Sequence, residues 1–154
     1  MKETTLCYIE KDGQYLMLHR IKKENDINHD KWIGVGGKFA EGESPFECAR
    51  REIWEETGLS VRLSYRGIVT FVQEGAPGEY MHLFLGYDPE GEPVECDEGE
   101  LAWIDKQALY DLTLWEGDRI FLDLLRTPCP FFSLKLVYRS DGTLAAHTLE
   151  FAEG

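Results

Sequence analysis

Positive charge is scarce in this sequence. Sixteen Lys and Arg stand against 29 Asp and Glu in 154 residues, a formal net charge of −13. The molecule as a whole repels a phosphate polymer, which argues against long-range capture of DNA or RNA. A small polyanion can still enter a negative site if metal ions accompany it and a few local cations help. Cysteine is equally sparse. Cys7, Cys48, Cys96 and Cys129 show no C-x-x-C spacing, which argues against a zinc site. Their scatter points to four separate, half-buried thiols in a cytoplasmic protein, with two disulfides as the alternative. No apolar run approaches a membrane span, and Met1–Glu10 lacks signal-peptide architecture, so neither membrane nor export is expected. Repeats, linkers and low-complexity tracts are missing too. One domain over residues 1–154 follows, long enough to bury a core, with 43% hydrophobic and 12% aromatic residues as in ordinary globular proteins.

What is abundant is carboxylate, and it is concentrated. Gly37 to Leu59 reads GKFAEGESPFECARREIWEETGL. Ser44 is a good N-cap, Pro45 suits the first helical position, Glu47 completes a capping box, and Gly58 supplies the stop. At about 100° per residue, Glu52, Glu55 and Glu56 share one sector of this helix. Phe46, Ala49 and Ile53 share the neighbouring sector, which seats it on a core. Like charges at these spacings cost roughly 0.2–0.5 kcal/mol per exposed pair. Clustered oxygens of this kind suit a hard divalent cation such as Mg²⁺. The alternative is a solvated acidic helix.

Around that helix the chain reads mainly as strands. Thr4–Glu10 and Gln14–Arg20 flank the hairpin signal Asp12-Gly13, with Tyr15, Met17 and His19 on one face and Leu16 and Leu18 on the other. Ile21–Lys31 is a polar loop. Leu59–Gln73 and Tyr80–Tyr87 are strands around a turn at Glu74–Glu79 containing Pro77-Gly78. Asp88–Gly99 is an acidic loop, too polar for a core. Leu101–Ile104 is a short strand, a brief helix covers Lys106–Tyr110, and Asp118–Arg126 has helical spacing. Phe131–Arg139 and Thr143–Phe151 form a terminal hairpin. The fold class expected is α/β (α+β), a mixed sheet with helices on its faces.

The spacing of Gly37, Glu43, Arg51-Glu52-Ile53-Trp54-Glu55-Glu56 and Gly58-Leu59 resembles the Nudix box at every fixed position. The resemblance implies a Nudix α/β/α sandwich, and water attack on a nucleoside diphosphate linked to another moiety. It makes Glu52, Glu55 and Glu56 the metal ligands, with the Gly37 carbonyl as a further oxygen and Mg²⁺ (Mn²⁺ as substitute) as cofactor. Arg51 would hold a carboxylate in place and Glu43 would support the loop–helix junction. Gly36 and Gly37 would let backbone approach the phosphates or metal. For the general base the family varies; Glu98 fits best within Glu95–Glu100, with Glu52 or Glu56 as alternatives.

Beyond the box, Trp32 with Gly34, Gly36, Gly37 and Lys38, then Ala102-Trp103 and Trp115, is similar to the MutT-like purine nucleoside triphosphatases. In that branch a tryptophan stacks on the purine and a nearby carboxylate meets its edge; Trp115 and Asp118 match, with Phe71 and Met81 as pocket walls. Lys23 matches a phosphate-binding position and Lys38 is a further candidate. The chain departs from the human-type 8-oxo-purine enzymes at Ile33, where they carry asparagine, and at Glu116-Gly117-Asp118, where they carry two adjacent acids. The implied activity is Mg²⁺-dependent hydrolysis of a purine or oxidised-purine nucleoside triphosphate such as 8-oxo-dGTP, with a small nucleotide as partner and a monomer or homodimer as the acting species. The alternatives are hydrolysis of ADP-ribose, a nucleotide sugar or a capped nucleotide, and a non-catalytic nucleotide-sensing module.

Overall fold

The computed structural model describes residues 1–22 and 26–153. Its framework is an eight-stranded mixed sheet. The strands are β1 (Lys2–Lys11), β2 (Gln14–His19), β3 (Trp32–Ile33), β4 (Ser60–Gln73), β5 (Ala76–Glu90), β6 (Glu100–Asp105), β7 (Phe132–Tyr138) and β8 (Leu144–Phe151). Helix α1 (Pro45–Thr57) lies on one face and α2 (Asp118–Leu125) on the other, and a 3₁₀ turn covers Lys106–Asp111. Spatial order is β3-β2-β1-β5-β4-β7-β8, with β6 paired to β2; β1–β5 and β4–β7 run parallel and the other pairs antiparallel. The expected α/β/α sandwich is thus the observed one.

Strand β1 is buried on both faces from Thr4 to Ile9, as a central strand with a parallel neighbour must be. Its alternation divides two cores. Leu6, Tyr8, Tyr15 and Met17 pack with Phe71, Trp115 and Phe121 on the α2 side. Cys7, Ile9, Leu16 and Leu18 pack with Ala49, Ile53 and Phe84 on the α1 side. Phe46 was expected on the buried face of α1 but is 39% exposed. It lies in the first turn of the helix and meets Tyr65 and Phe84 in edge-to-face contacts.

Two turns position everything else. Asp12 and Gly13, with φ of 53° and 77°, close the β1–β2 hairpin as the sequence signalled. The β4–β5 turn is tighter than expected: Gln73 pairs with Ala76 around Glu74-Gly75, so Pro77-Gly78 lies inside β5. Register slips there, two residues standing against Val72, in a bulge that precedes the first β1 partner at Glu79. The missing proline N–H therefore removes no bond to β1. All four cysteines are free; Cys7, Cys48 and Cys96 are buried rather than half-buried, so the acidic Asp88–Gly99 stretch contributes one side chain to the core after all. Among the described residues no helix is long and apolar enough to cross a membrane.

The feature that makes room for a site is a fork in the sheet. β1 and β2 pair only at Ile9–Lys11 with Gln14–Leu16. Beyond that, β2 takes Trp32-Ile33 as its partner, while β1 is bridged by Val35 and Lys38. The segment carrying Gly34, Gly36 and Gly37 is wedged into this gap. A Cβ at Gly34 would stand 2.5 Å from the Cys7 carbonyl oxygen, and one at Gly36 1.9 Å from that of Thr5. Only glycine lets the backbones approach so closely.

Candidate active site

A cavity of about 510 Å³ opens at this fork. Its walls include Gly36, Gly37, Lys38, Glu52, Glu56 and Glu98 together with Phe71, Met81, Trp115 and Asp118. Ten of the residues designated from the sequence, drawn from six separate stretches of chain, meet in one space. Glu43, Arg51 and Glu55 stand outside the lining. Lys23 lies outside the described residues. The neighbouring Lys22 binds Glu95 at 3.1 Å and the Cys96 carbonyl at 2.7 Å.

The carboxylate end is built by α1. Ser44 accepts the Glu47 N–H at 3.2 Å, and Glu47 returns a 2.9 Å contact to the Ser44 N–H; Gly58 closes the helix with φ of 73°. This fixes the helix end against the glycine segment, and the Gly36 N–H donates to Glu56 at 2.9 Å. A Cβ on Gly37 would fall 2.5 Å from the Glu52 carboxyl carbon, so the glycine leaves the space that carboxylate fills. Burial raises the pKa of Glu56 well above the ordinary range; Glu98 and Glu52 add to the rise, and the Gly36 N–H opposes it. Burial likewise raises Glu52, against the pull of Arg51.

Arg51 joins five oxygens. It forks onto Glu43 at 2.7 and 2.8 Å and reaches Glu52 at 2.8 Å, Glu55 at 3.1 Å and the Lys38 carbonyl at 3.0 Å. The hydrogen bonds from Arg51 hold Glu43 down to about 2, with the Ala40 N–H contributing. Glu43 also accepts that N–H at 2.7 Å, tying the loop to the helix. The three glutamates divide accordingly: Glu52 and Glu56 face the cavity, while Glu55 turns outward to Arg51 with its side chain 56% exposed. The Gly37 carbonyl, expected as a metal oxygen, accepts the Thr5 N–H at 2.9 Å. Among the described residues no three His, Cys, Asp or Glu side chains converge as they stand. The buried Glu56 and half-buried Glu52 carboxylates beside a glycine backbone nevertheless fit Mg²⁺, which is held through one or two carboxylates with waters and substrate phosphates completing its shell.

The apolar end is built by the segment before α2. Trp115, 7% exposed, packs edge-on against Phe71 and Tyr138 with ring centroids 5.3 and 5.0 Å away. It is core residue and cavity wall at once. Gly117 separates Glu116 from Asp118 because a Cβ there would meet Leu136 at 2.6 Å and the Tyr138 hydroxyl at 2.7 Å. Glu116 is exposed, whereas Asp118 is buried in the lining. Burial pushes Asp118 up to about 8, against the opposing charge of Lys31 and a hydrogen bond from backbone at Trp115. A carboxyl that is mostly protonated at neutral pH can donate as well as accept.

The sequence reading missed Arg20, Asp26, Asn28 and Lys31. Arg20 donates to Asp26 at 2.6 Å and to Glu98 at 2.9 Å, so it carries the connection between two loops. Asn28 accepts from the Trp115 indole at 2.7 Å, and the Lys31 ammonium lies 4.8 Å from the ring centroid. No local pattern announces these residues; Arg20 ends the expected second strand, the other three lie in the polar loop after it, and Glu98 and Trp115, which they reach, are distant in sequence.

Residues 2–125 match the family model of the NUDIX domain. The chain belongs to the Nudix family. It is 33% identical over 127 residues to the oxidized purine nucleoside triphosphate hydrolase of Danio rerio, covering 80% of this chain and 79% of that protein. The protein of the same description from Mus musculus is 34% identical over 106 residues, 67% of each chain. Among solved structures, a MutT protein from Bacillus halodurans superposes with a TM-score of 0.84 at 26% identity, covering 97% of this chain and 98% of that one. This Nudix hydrolase thus has its box helix, glycine segment and cavity in one connected arrangement, in a family whose members generally use divalent metal ions.

Proposed function

We propose that this Nudix hydrolase is a single-domain, Mg²⁺-dependent pyrophosphohydrolase that cleaves a purine or oxidised-purine nucleoside triphosphate, such as 8-oxo-dGTP, into the nucleoside monophosphate and pyrophosphate. The observation that carries the reading is the shared cavity: Glu52, Glu56 and Glu98 line it together with Trp115 and Asp118. A triphosphate and a planar base need those two environments at once. When bound, the divalent ion neutralises phosphate oxygens and supplies a more acidic water; Mn²⁺ is the natural substitute.

The chain's own groups have distinct parts. Glu52 and Glu56 provide the oxygen ligands facing the cavity, and Arg51 orients Glu52 through the same guanidinium that anchors Glu43. Glu98, held by Arg20, takes a proton from the attacking water. Lys38 lies on the rim for the phosphate chain, and Lys23 is assigned to it as well. Trp115 presents ring surface to the base, a contact worth about 1–3 kcal/mol that any base can make. Asp118 meets the base edge, and Phe71 and Met81 bound the pocket. Glu55, paired outward with Arg51, acts as a metal ligand only after that pair opens.

The net charge of −13 supports free nucleotide rather than polymer as substrate. We further propose a cytoplasmic location, with a monomer or homodimer as the acting species. The test is pyrophosphate release from 8-oxo-dGTP, dGTP and dATP with Mg²⁺, beside ADP-ribose, a nucleotide sugar and a capped nucleotide. Turnover of a purine triphosphate above that of the diphosphate derivatives is expected. No turnover of any triphosphate at micromolar enzyme rejects the reading.

A further inference from the structure

We propose that Asn28 reads the base: its side-chain amide donates to the C6 carbonyl oxygen of a purine held against Trp115, so the site selects 6-oxopurines over 6-aminopurines. This rests on the cavity being a purine triphosphate site. Asn28 lines that cavity and is half-buried, and its Oδ1 accepts from the Trp115 indole at 2.7 Å. An indole N–H can only donate, so the amide atom facing it must be the carbonyl oxygen. The orientation of the amide is therefore fixed by chemistry. Its Nδ2 then carries two N–H groups, and no acceptor for them is found among the described residues.

The amide is also held in place. The Asn28 backbone N–H donates to Asp26 at 3.1 Å, and Asp26 is fixed by Arg20 at 2.6 Å, which holds Glu98 as well. The Asn28 carbonyl accepts the Lys31 N–H at 2.9 Å, and Lys31 lies over the Trp115 ring. One loop thus ties the tryptophan to a donor of fixed direction. Ile33, on the same wall, adds only apolar surface. A base stacked beside Trp115 meets an N–H that needs an acceptor. A 6-oxo group supplies one. A 6-amino group sets donor against donor and leaves both unpaired in a partly dry site, the situation that hydrogen-bonding pockets discriminate against most strongly.

The experiment compares kcat/KM for 2′-deoxyinosine triphosphate and dATP with Mg²⁺, in the native protein, Asn28→Asp and Asn28→Leu. The native protein is expected to prefer the oxo substrate by about tenfold, the size of one hydrogen bond. Asn28→Asp keeps an oxygen for the indole and removes the donors, so the preference should vanish or reverse. Asn28→Leu should abolish it. Each ratio compares two substrates on one protein, so a general loss of activity cancels. A third substrate needs no variant: a purine deoxynucleoside triphosphate bare at C6 should fall about tenfold below the inosine compound on the native protein. Equal handling of those two, or a ratio unchanged in Asn28→Asp, overturns the assignment while leaving triphosphate hydrolysis intact. Failure of the native protein to release pyrophosphate from any triphosphate overturns the underlying reading instead.

Discussion

The two ends of the cavity are built on opposite plans. At the carboxylate end, Glu43, Arg51, Glu52, Glu55 and Glu56 come from one continuous stretch, and the hydrogen bonds among them span at most eight residues. At the base end, Trp115 meets Asn28 across 87 residues and packs on Phe71 and Tyr138 from two further strands. The first end is a helix with its caps, which carries its geometry wherever it is docked. The second exists only when four segments arrive together. Local construction suits a task shared across a family, and composite construction lets one substitution in a loop retune selectivity without touching the helix.

The sharpest way to break this comparison is Glu56→Gln. It keeps the shape and the Gly36 contact and removes the charge, and kcat should fall about 10³-fold. Circular dichroism should show the fold retained, since a buried carboxylate has been neutralised rather than exposed. Arg51→Lys comes next. A lysine cannot fork onto Glu43 and reach Glu52 together, so activity should drop about 10–100-fold, with a raised requirement for Mg²⁺ in a titration.

At the base end the effects should be smaller and of another kind. Trp115→Phe leaves a ring but loses the indole N–H to Asn28; kcat/KM for purine triphosphates should fall about tenfold, mainly through KM. A larger loss in kcat than in KM would mean that Trp115 supports the carboxylate end instead. Asp118 gives the mildest test, in stability against pH. Burial lifts it to about 8, above the ordinary 3.8 of an aspartate, so between these values the native state binds more protons than the unfolded one. Stability conferred by the neutral acid is therefore lost as pH rises through that window. Urea melts at pH 5 and pH 8 should show native protein losing more stability than Asp118→Asn, the shared contributions of Glu52 and Glu56 dropping out of the difference. Equal losses would mean that Asp118 is not held as a buried neutral acid.

The departures from the expected layout follow the same division. Phe46 and Glu55 lie on α1 where the periodicity puts them, yet Phe46 overhangs the sheet and Glu55 faces Arg51 rather than the cavity. Periodicity gives an angle around the helix axis, not what stands opposite it. Pro77-Gly78 carries a turn signal that Glu74-Gly75 pre-empts, because the shorter turn lets β4 and β5 pair over nearly their whole length.

By itself the amino-acid order determined α1, with Ser44, Pro45, Glu47 and Gly58 marking its ends, the Asp12-Gly13 hairpin, and the two-faced pattern of β2. Each rests on bonds or dihedral preferences within a few residues, and such interactions are present in the local sequence. Only the tertiary structure decided that Glu52 and Glu56 face inward, that Arg20 and Asp26 brace Glu98, and that Asn28 holds Trp115. Those outcomes depend on the fork between β1 and β2 and on which loops it brings within hydrogen-bond reach, a geometry set by the whole sheet.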